Sequence, residues 1–353
     1  MPRVRYVPVQ DSTRVRDVRV AAESAAASAG LDERRTAAVS LVATELATNL
    51  LKHAQGGEVL IEVVDPPLLR ESPASRSVQI AAIDHGPGIA DVAGALRDGF
   101  STTASLGAGL GTCRRLADDF GLHSVPGRGT VAVARIADAD TPRAADTPAG
   151  PGVRAGGVNV PYAAADQSGD DWAWVRSGDL FTLMLADGLG HGAAAARASS
   201  AAADGVRRRP HLPPAEALRR LHEALGGTRG AAVAVAQLDL RAGRLRFAGI
   251  GNVGARLREG DRWRALLSRP GIVGVHRPGT LREDDVPWSD ESLLILHTDG
   301  LPSRWSPPSD GMLTAADPAV TAAVTIRDAG SSARPVRDDT AVAVMTSTPP
   351  DRP

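Results

Sequence analysis

Ala43 to Ala54 reads ATELATNLLKHA. Glu45 and Asn49 stand four residues apart in it, so on a helix both side chains leave the same face one turn apart. That helix is predicted over Asp32 to Ala54, opened by Asp32 as an N-cap and carrying Leu41, Val42, Leu46, Leu50 and Leu51 at helical spacing. One helix can thus offer a base and a metal ligand to a single cleft. Thirty-five residues past Asn49 begins Asp84-His85-Gly86-Pro87-Gly88-Ile89, and later comes Gly107-Ala108-Gly109-Leu110-Gly111-Thr112, leading into a helix predicted over Thr112 to Phe120. An acidic residue beside a Gly-x-Gly turn can accept the exocyclic amine of adenine, and glycines let backbone approach a ligand. The second cluster exposes N–H groups at a helix start, where phosphate oxygens are stabilised. A dinucleotide fold is disfavoured, because Thr112 stands where Gly-x-Gly-x-x-Gly needs its third glycine. A helix over Asp11 to Ala29 and strands over Val59 to Val64, Val78 to Ile83 and Thr130 to Ile136 complete a layer of helices on one face of a mixed sheet.

Together and in this order, these motifs resemble the histidine-kinase-like ATPases, with an N box at Glu45 to Ala54, a G1 box at Asp84 to Ile89 and a G2 box at Gly107 to Gly111. ATELATNLLKHA, DHGPGI, DGFSTT, LGAGLGTCRRLADDF and PGRGT are similar to the RsbT-like serine/threonine switch kinases of partner-switching and stressosome systems, over most of residues 5 to 136. The resemblance implies that Asn49 ligands an Mg²⁺ bridging the phosphates of ATP and that Asp84 reads adenine. It implies that Gly86 and Gly88 shape the base pocket, and that Gly107, Gly109, Gly111 and Thr112 belong to the ATP-binding set. Glu45 is the implied general base for a substrate hydroxyl, and residues Asp91 to Leu106 the implied lid. His53 is read as a helix-face residue near the cleft, not as a phospho-acceptor.

Farther along, acidic residues recur at strand ends: Ser168-Gly169-Asp170-Asp171-Trp172, Asp187-Gly188-Leu189-Gly190-His191-Gly192, Thr298-Asp299-Gly300 and Arg337-Asp338-Asp339-Thr340. Asp187 and Asp299 follow the apolar runs LFTLMLA and LLILHT directly. A carboxylate at the end of a buried strand is costly unless it meets a cation, and hard divalent ions take such oxygens. The series resembles the SpoIIE-like branch of the PP2C metal-dependent phosphatases over roughly residues 153 to 346, and its short RsbX-like members in particular. The family implies that Asp187 bridges two Mn²⁺ or Mg²⁺ ions. Gly188, through its carbonyl, and Asp170 complete one site; Asp299 and Asp338 complete the other, with Asp339 as the alternative to Asp338. Water held between two such ions loses a proton near neutral pH and can attack a phosphoserine or phosphothreonine. The usual Gly-Gly-Asp here reads Ser168-Gly169-Asp170. His191 is read as a helix-start residue, Gly251 and Asn252 as the site's floor or a plain loop, and His297, Trp172 and Trp174 as core.

The chain of 353 residues suggests two domains, and a net charge of −1, with 15 basic and 17 acidic residues in the first 140, leaves no basic surface for coating nucleic acid. The single cysteine, Cys113, and the absence of an apolar leader or a 20-residue apolar span point to the cytoplasm without a membrane anchor. The expected organisation is an α/β (α+β) chain: an ATPase-like α/β sandwich over 1–137, a Pro-rich linker over 138–152, a PP2C-like α/β/β/α sandwich over 153–346 and a tail over 347–353. The expected activities are phosphorylation of STAS-domain anti-sigma antagonists or stressosome proteins, and their dephosphorylation by the second domain. Two alternatives accompany this reading: an ATP-sensing domain that only gates the phosphatase, and an anti-sigma module that binds a sigma factor.

Overall fold

The computed structural model describes residues 4–64, 76–96, 109–138, 152–165, 167–276, 279–308, 316–330 and 338–347. The expected lid (from 97 onward), Gly107 and most of the expected linker (139–151) lie outside the described residues.

The amino-terminal part contains strands β1 (Arg5–Val9), β2 (Gly57–Val64), β3 (Ser77–Ile83), β4 (Asp119–Val125) and β5 (Gly129–Ala137), and helices α1 (Ser12–Ala29), α2 (Glu33–Ala54), α3 (Val92–Ala95) and α4 (Leu110–Leu116). Asp11 caps α1 by accepting from Thr13 N, and Asp32 caps α2 by accepting from Arg35 N. The strands lie in the order β1-β2-β3-β5-β4, each antiparallel to its neighbour. The expected mixed sheet is therefore corrected to a purely antiparallel one. The helix expected over Thr112 to Phe120 is also corrected, since α4 ends at Leu116. Ala117 turns extended and Asp118 N bonds Arg135 O, so Asp119 and Phe120 enter a hairpin whose pairing outweighs local helical propensity. One face of the sheet packs Val59, Ile61, Val78 and Ile80 under α1, α2 and α4.

The remainder forms two more antiparallel sheets. Strands β6 (Val153–Val160), β7 (Asp170–Ser177), β8 (Leu180–Gly188), β9 (Ala231–Asp239), β10 (Arg244–Ile250), β11 (Gly254–Glu259), β12 (Arg262–Leu266), β13 (Asp284–Pro287), β14 (Leu293–His297) and β15 (Thr340–Ser347) are joined by helices α5 (Ala193–Arg208), α6 (Pro214–Ala224) and α7 (Pro318–Ala329). The orders are β13-β10-β9-β8-β7 and β12-β11-β14-β15-β6. Trp172, Trp174, Phe181 and Leu183 of the first meet Leu257, Leu294, Leu296 and Met345 of the second in a shared core. Helices α5 and α6 cover the outer face of the first sheet, and α7 that of the second. This is the expected α/β/β/α sandwich.

Helix α7 has two partners. Val320 and Val324 lie in one cluster with Val158, Ile295 and Val344 of the sandwich and with Leu60, Ala81 and Val133 from the second face of the amino-terminal sheet. Almost every α7 residue is buried, so the helix lacks a polar stripe, which explains why periodicity missed it. Strand β6 escaped for a different reason. Its Gly156 and Gly157 look like a loop, yet a Cβ at Gly157 would stand 2.8 Å from the Trp172 ring and one at Gly156 2.8 Å from Ala319 N.

A row of polar side chains crosses the second face of the amino-terminal sheet at one register. Glu62 pairs with Gln79, Gln79 with Arg135, and Arg135 with Asp119. Strand β6 is the edge of its own sheet and lies along this row: Glu62 Oε1 accepts from Asn159 N at 2.9 Å and Gln79 Nε2 donates to Gly157 O at 2.9 Å. The exposed ladder of an edge strand is thereby satisfied by side chains from another sheet. Arg135 donates both terminal nitrogens to Asp317, each at 2.8 Å, and one of them also to Asp119. Burial alone would raise the Asp317 pKa, but the Arg135 guanidinium outweighs it and holds the carboxyl well below its usual range.

Candidate functional site

The first constellation forms where α2, the loop after β3 and α4 meet. Val39, Val42, Leu46 and Leu50 bind α2 to the sheet, which leaves Glu45 and Asn49 on a flank. Glu45 is partly buried, and that burial raises its pKa against the pull of Lys52. Burial and then the Glu45 carboxylate push the Cys113 thiol up to about 12, so Cys113 on α4 and Glu45 share one environment. Asn49 Nδ2 is buried with no hydrogen-bond partner among the described residues. Asp84 is 6% exposed, and its Oδ1 accepts from Gly86 N at 2.8 Å and Thr130 N at 3.1 Å. Burial raises its pKa, and the two backbone amides oppose the rise.

The glycines of the loop are sterically required. A Cβ at Gly86 would come within 2.7 Å of Ala54 at the end of α2, and Gly88 has φ +73°. Ile89 N donates to Ser124 Oγ and Gly127 N to Pro87 O, which fastens the loop to the β4–β5 hairpin. Gly109 begins α4 and accepts from Cys113 N; Gly111 and Thr112 are buried in its first turn. The roles of Ser124 and Thr130 were invisible without the hairpin that carries them.

The second constellation lies at one end of the sandwich. Asp170 and Asp187 are direct cross-strand partners on β7 and β8. Like charges at such positions repel. Asp170 is 1% exposed, and neither carboxylate oxygen has a hydrogen-bond partner among the described residues. Burial, then Asp187, drives its pKa far above the usual carboxylate range. Asp187 is raised to about 7 by burial and then by the negative charges of Asp299, Asp338 and Asp339. Asp299 follows β14 and accepts from Asn252 Nδ2 at 2.6 Å. Thr298 N bonds Ala341 O, so the ends of β14 and β15 deliver Asp299 and Asp338 together.

The two candidates at 338 and 339 differ. Both Asp339 oxygens accept backbone amides, from Tyr162 and Gly169 at 2.7 Å each, whereas Asp338 is exposed and its carboxylate, among the described residues, accepts from Asp339 N at 2.8 Å. Gly188 N bonds Gly169 O at 3.0 Å, and a Cβ at Gly188 would strike the Ala195 carbonyl. This donor set is hard oxygen throughout, and the orphaned Asp170 carboxylate is the kind of group a Mg²⁺ or Mn²⁺ ion compensates. No three acidic, histidine or cysteine side chains of the described residues close around one point. The part of the set that fits a divalent cation by its chemistry is the cross-strand carboxylate pair of Asp170 and Asp187.

Residues 9–136 match the family model of the histidine kinase-like ATPase domain, and residues 177–347 match that of stage II sporulation protein E (SpoIIE). The chain joins a histidine kinase-like ATPase domain to a SpoIIE domain. The ATPase domain is 40% identical over 94 residues to the serine/threonine-protein kinase RsbT of Bacillus subtilis (strain 168), covering 27% of this chain and 66% of that kinase, just under two thirds of its length. The structure of the PP2C phosphatase domain and a fragment of the regulatory domain of Bacillus subtilis SpoIIE shares the fold, with TM-score 0.50, 15% identity and 98% of each chain covered. A structure of RsbX in complex with magnesium superposes with TM-score 0.47 and 20% identity over 56% of this chain and 96% of its own.

Within the SpoIIE domain the structure adds a residue that the motifs did not suggest. Arg229 is exposed, and its guanidinium reaches to 3.1 Å from where a Cβ on Gly190 would stand, over the Asp187 to Gly192 loop. Leu189 N donates to Gly230 O, which holds this loop against the start of β9. His191 is exposed, and His297 is partly buried with its ring 4.8 Å from that of Trp305. Among the described residues, no helix is long and apolar enough to cross a membrane.

Proposed function

We propose that the chain is a two-way regulator of partner-switching signalling: its ATPase domain phosphorylates serine or threonine of STAS-domain or stressosome proteins, and its SpoIIE domain removes the phosphate. The observation that carries the phosphatase half is the like-charged cross-strand pair of Asp170 and Asp187, of which Asp170 is fully buried. Two Mn²⁺ or Mg²⁺ ions, when bound, would supply a water acidified to near-neutral pKa. Asp187, Asp170, the Gly188 carbonyl, Asp299 and Asp338 would hold these ions; we assign Asp338 over Asp339 because backbone amides use both oxygens of the latter. Asn252 orients Asp299, and Arg229 is placed to meet phosphate oxygens.

In the ATPase domain Asn49 takes the ligand role toward Mg²⁺–ATP, and Asp84 offers its free oxygen to the adenine amine. Gly109 and Gly111 would meet the phosphates, the role the resemblance also gives Gly107. Glu45 accepts the proton of the attacking hydroxyl while the bond between the β and γ phosphates of ATP breaks. Burial raises its pKa, which strengthens it as a proton acceptor.

The test is to incubate the full chain with ATP, Mg²⁺ and a STAS-domain protein, and to repeat it with Glu45→Ala, Asn49→Ala and Asp187→Asn. Transfer lost in the first two, and dephosphorylation lost only in the third, is the expected pattern. Absence of transfer by wild type, with phosphatase activity intact in Asp187→Asn, would overturn both halves. The buried bonding between the domains favours one second reading, an ATPase domain that senses ATP and gates the phosphatase. In that case Glu45→Ala changes the phosphatase rate and no phosphate is transferred.

A further inference from the structure

The polar row that crosses the ATPase sheet ends at the carboxylate centre of the other domain. Glu62 on β2 holds the backbone N–H of Asn159 at 2.9 Å, and the Asn159 side chain donates through Nδ2 to the backbone carbonyl of Asp170 at 2.8 Å. Glu62, Asn159 and Asp170 are 6%, 1% and 1% exposed, so water cannot substitute for either bond. Asp170 opens β7, where the ladder to β8 starts, and its preceding amide at Gly169 is already held by Asp339. Its carbonyl is therefore a point where the direction of the Asp170 side chain is set. The strand that offers Asn159 is an edge strand, and on that edge its neighbour is the ATPase sheet.

We infer that Glu62 and Asn159 are positioning residues of the SpoIIE metal centre, with Glu62 acting from the ATPase domain through Asn159 on the Asp170 ligand. This rests on the reading of Asp170 and Asp187 as divalent-cation ligands. Partners that orient metal ligands from behind typically govern metal affinity by about 10- to 100-fold. In Glu62→Gln the side-chain oxygen still accepts from Asn159 N, whereas Glu62→Leu removes it and leaves a buried amide unpaired. In Asn159→Leu the main-chain bond to Glu62 stays and only the hold on Asp170 is lost.

Mn²⁺ binding to the full chain, followed by the paramagnetic resonance signal of free Mn²⁺, reads this without recourse to turnover. Asn159→Leu and Glu62→Leu are each expected to weaken Mn²⁺ binding about tenfold, Glu62→Gln to bind within about twofold of wild type, and Asp187→Asn to bind hardly at all. If Asp187→Asn abolishes binding while Asn159→Leu and Glu62→Leu bind as wild type does, the positioning role is overturned and the metal centre stands. If Asp187→Asn binds Mn²⁺ as wild type does, both are overturned. Should Asn159→Leu fail to fold, the contrast between Glu62→Leu and Glu62→Gln decides: equal affinities of the two overturn the inference, and rescue by Gln supports it.

Discussion

Asp84 and Asp170 are both aspartates at the end of a sheet, and both are almost fully buried. In the ATPase domain two backbone amides meet one Asp84 oxygen, so the carboxylate is stabilised by its own fold and has one oxygen left for a ligand. In the SpoIIE domain no backbone amide of the described residues meets the Asp170 carboxylate, where the Thr298 side chain alone opposes the raised pKa, and its cross-strand partner is a second aspartate. The first carboxylate is already satisfied by its own fold. The second pair is costly to ionise, and its charge is balanced by taking up a proton or by a cation.

The largest expected effect breaks the second site. Asp187→Asn should lower phosphatase turnover by at least about 10³-fold, some 4 kcal/mol in the barrier, measured on a phosphorylated STAS-domain protein or a phosphopeptide. Metal-free stability sharpens the contrast: in chelator-treated protein, Asp170→Asn should raise the urea midpoint, whereas Asp84→Ala should lower it by unpairing two amides. Next comes the joint between the regions. Arg135→Met leaves the buried Asp317 with Arg154 as its remaining cation and should cost about 3 kcal/mol in urea unfolding, and the double variant Arg135→Met with Asp317→Asn, which keeps the cap on α7, should recover part of it.

Asp84→Ala should weaken ATP binding about 10- to 100-fold, by loss of one hydrogen bond to a charged acceptor and of the loop's anchor, while Mn²⁺ binding stays unchanged. Calorimetric titration with each ligand reads both. The last test reads a slope and not a step, and concerns Glu62, which burial pushes up to about 8. The folded state then holds a proton that the unfolded chain releases, so stability falls as pH rises from about 4.5 toward 8, by at most about 1.4 kcal/mol per pH unit. Asn159 N and Arg135 oppose the raised value and Asp171 adds to it. Glu62→Gln should show a shallower decline than wild type across that window, measured as urea midpoints at several pH values.

Much of both sites was legible because their ligands lie within short motifs. Glu45 and Asn49 share a helix face through the 3.6-residue repeat, and Asp84 with Gly86 and Gly88 makes its own turn. The glycines of β6 and the almost wholly buried α7 left no periodic signal, although these two elements join the domains. Arg229 also gave none, since a lone arginine before a strand means nothing until the loop beneath it is placed.

Composition, caps and motif spacing were enough to determine two enzyme-like domains, a nucleotide turn and a set of acids at strand ends. Local rules act over a few residues, and those features are local. Tertiary structure alone decided that Asp170 faces Asp187, that Asp339 spends its oxygens on backbone amides while Asp338 does not, and that Glu62 reaches the other domain through Asn159. Each of these depends on which strands pair and at what register, and register is set by burial of whole sheet faces across long stretches of chain.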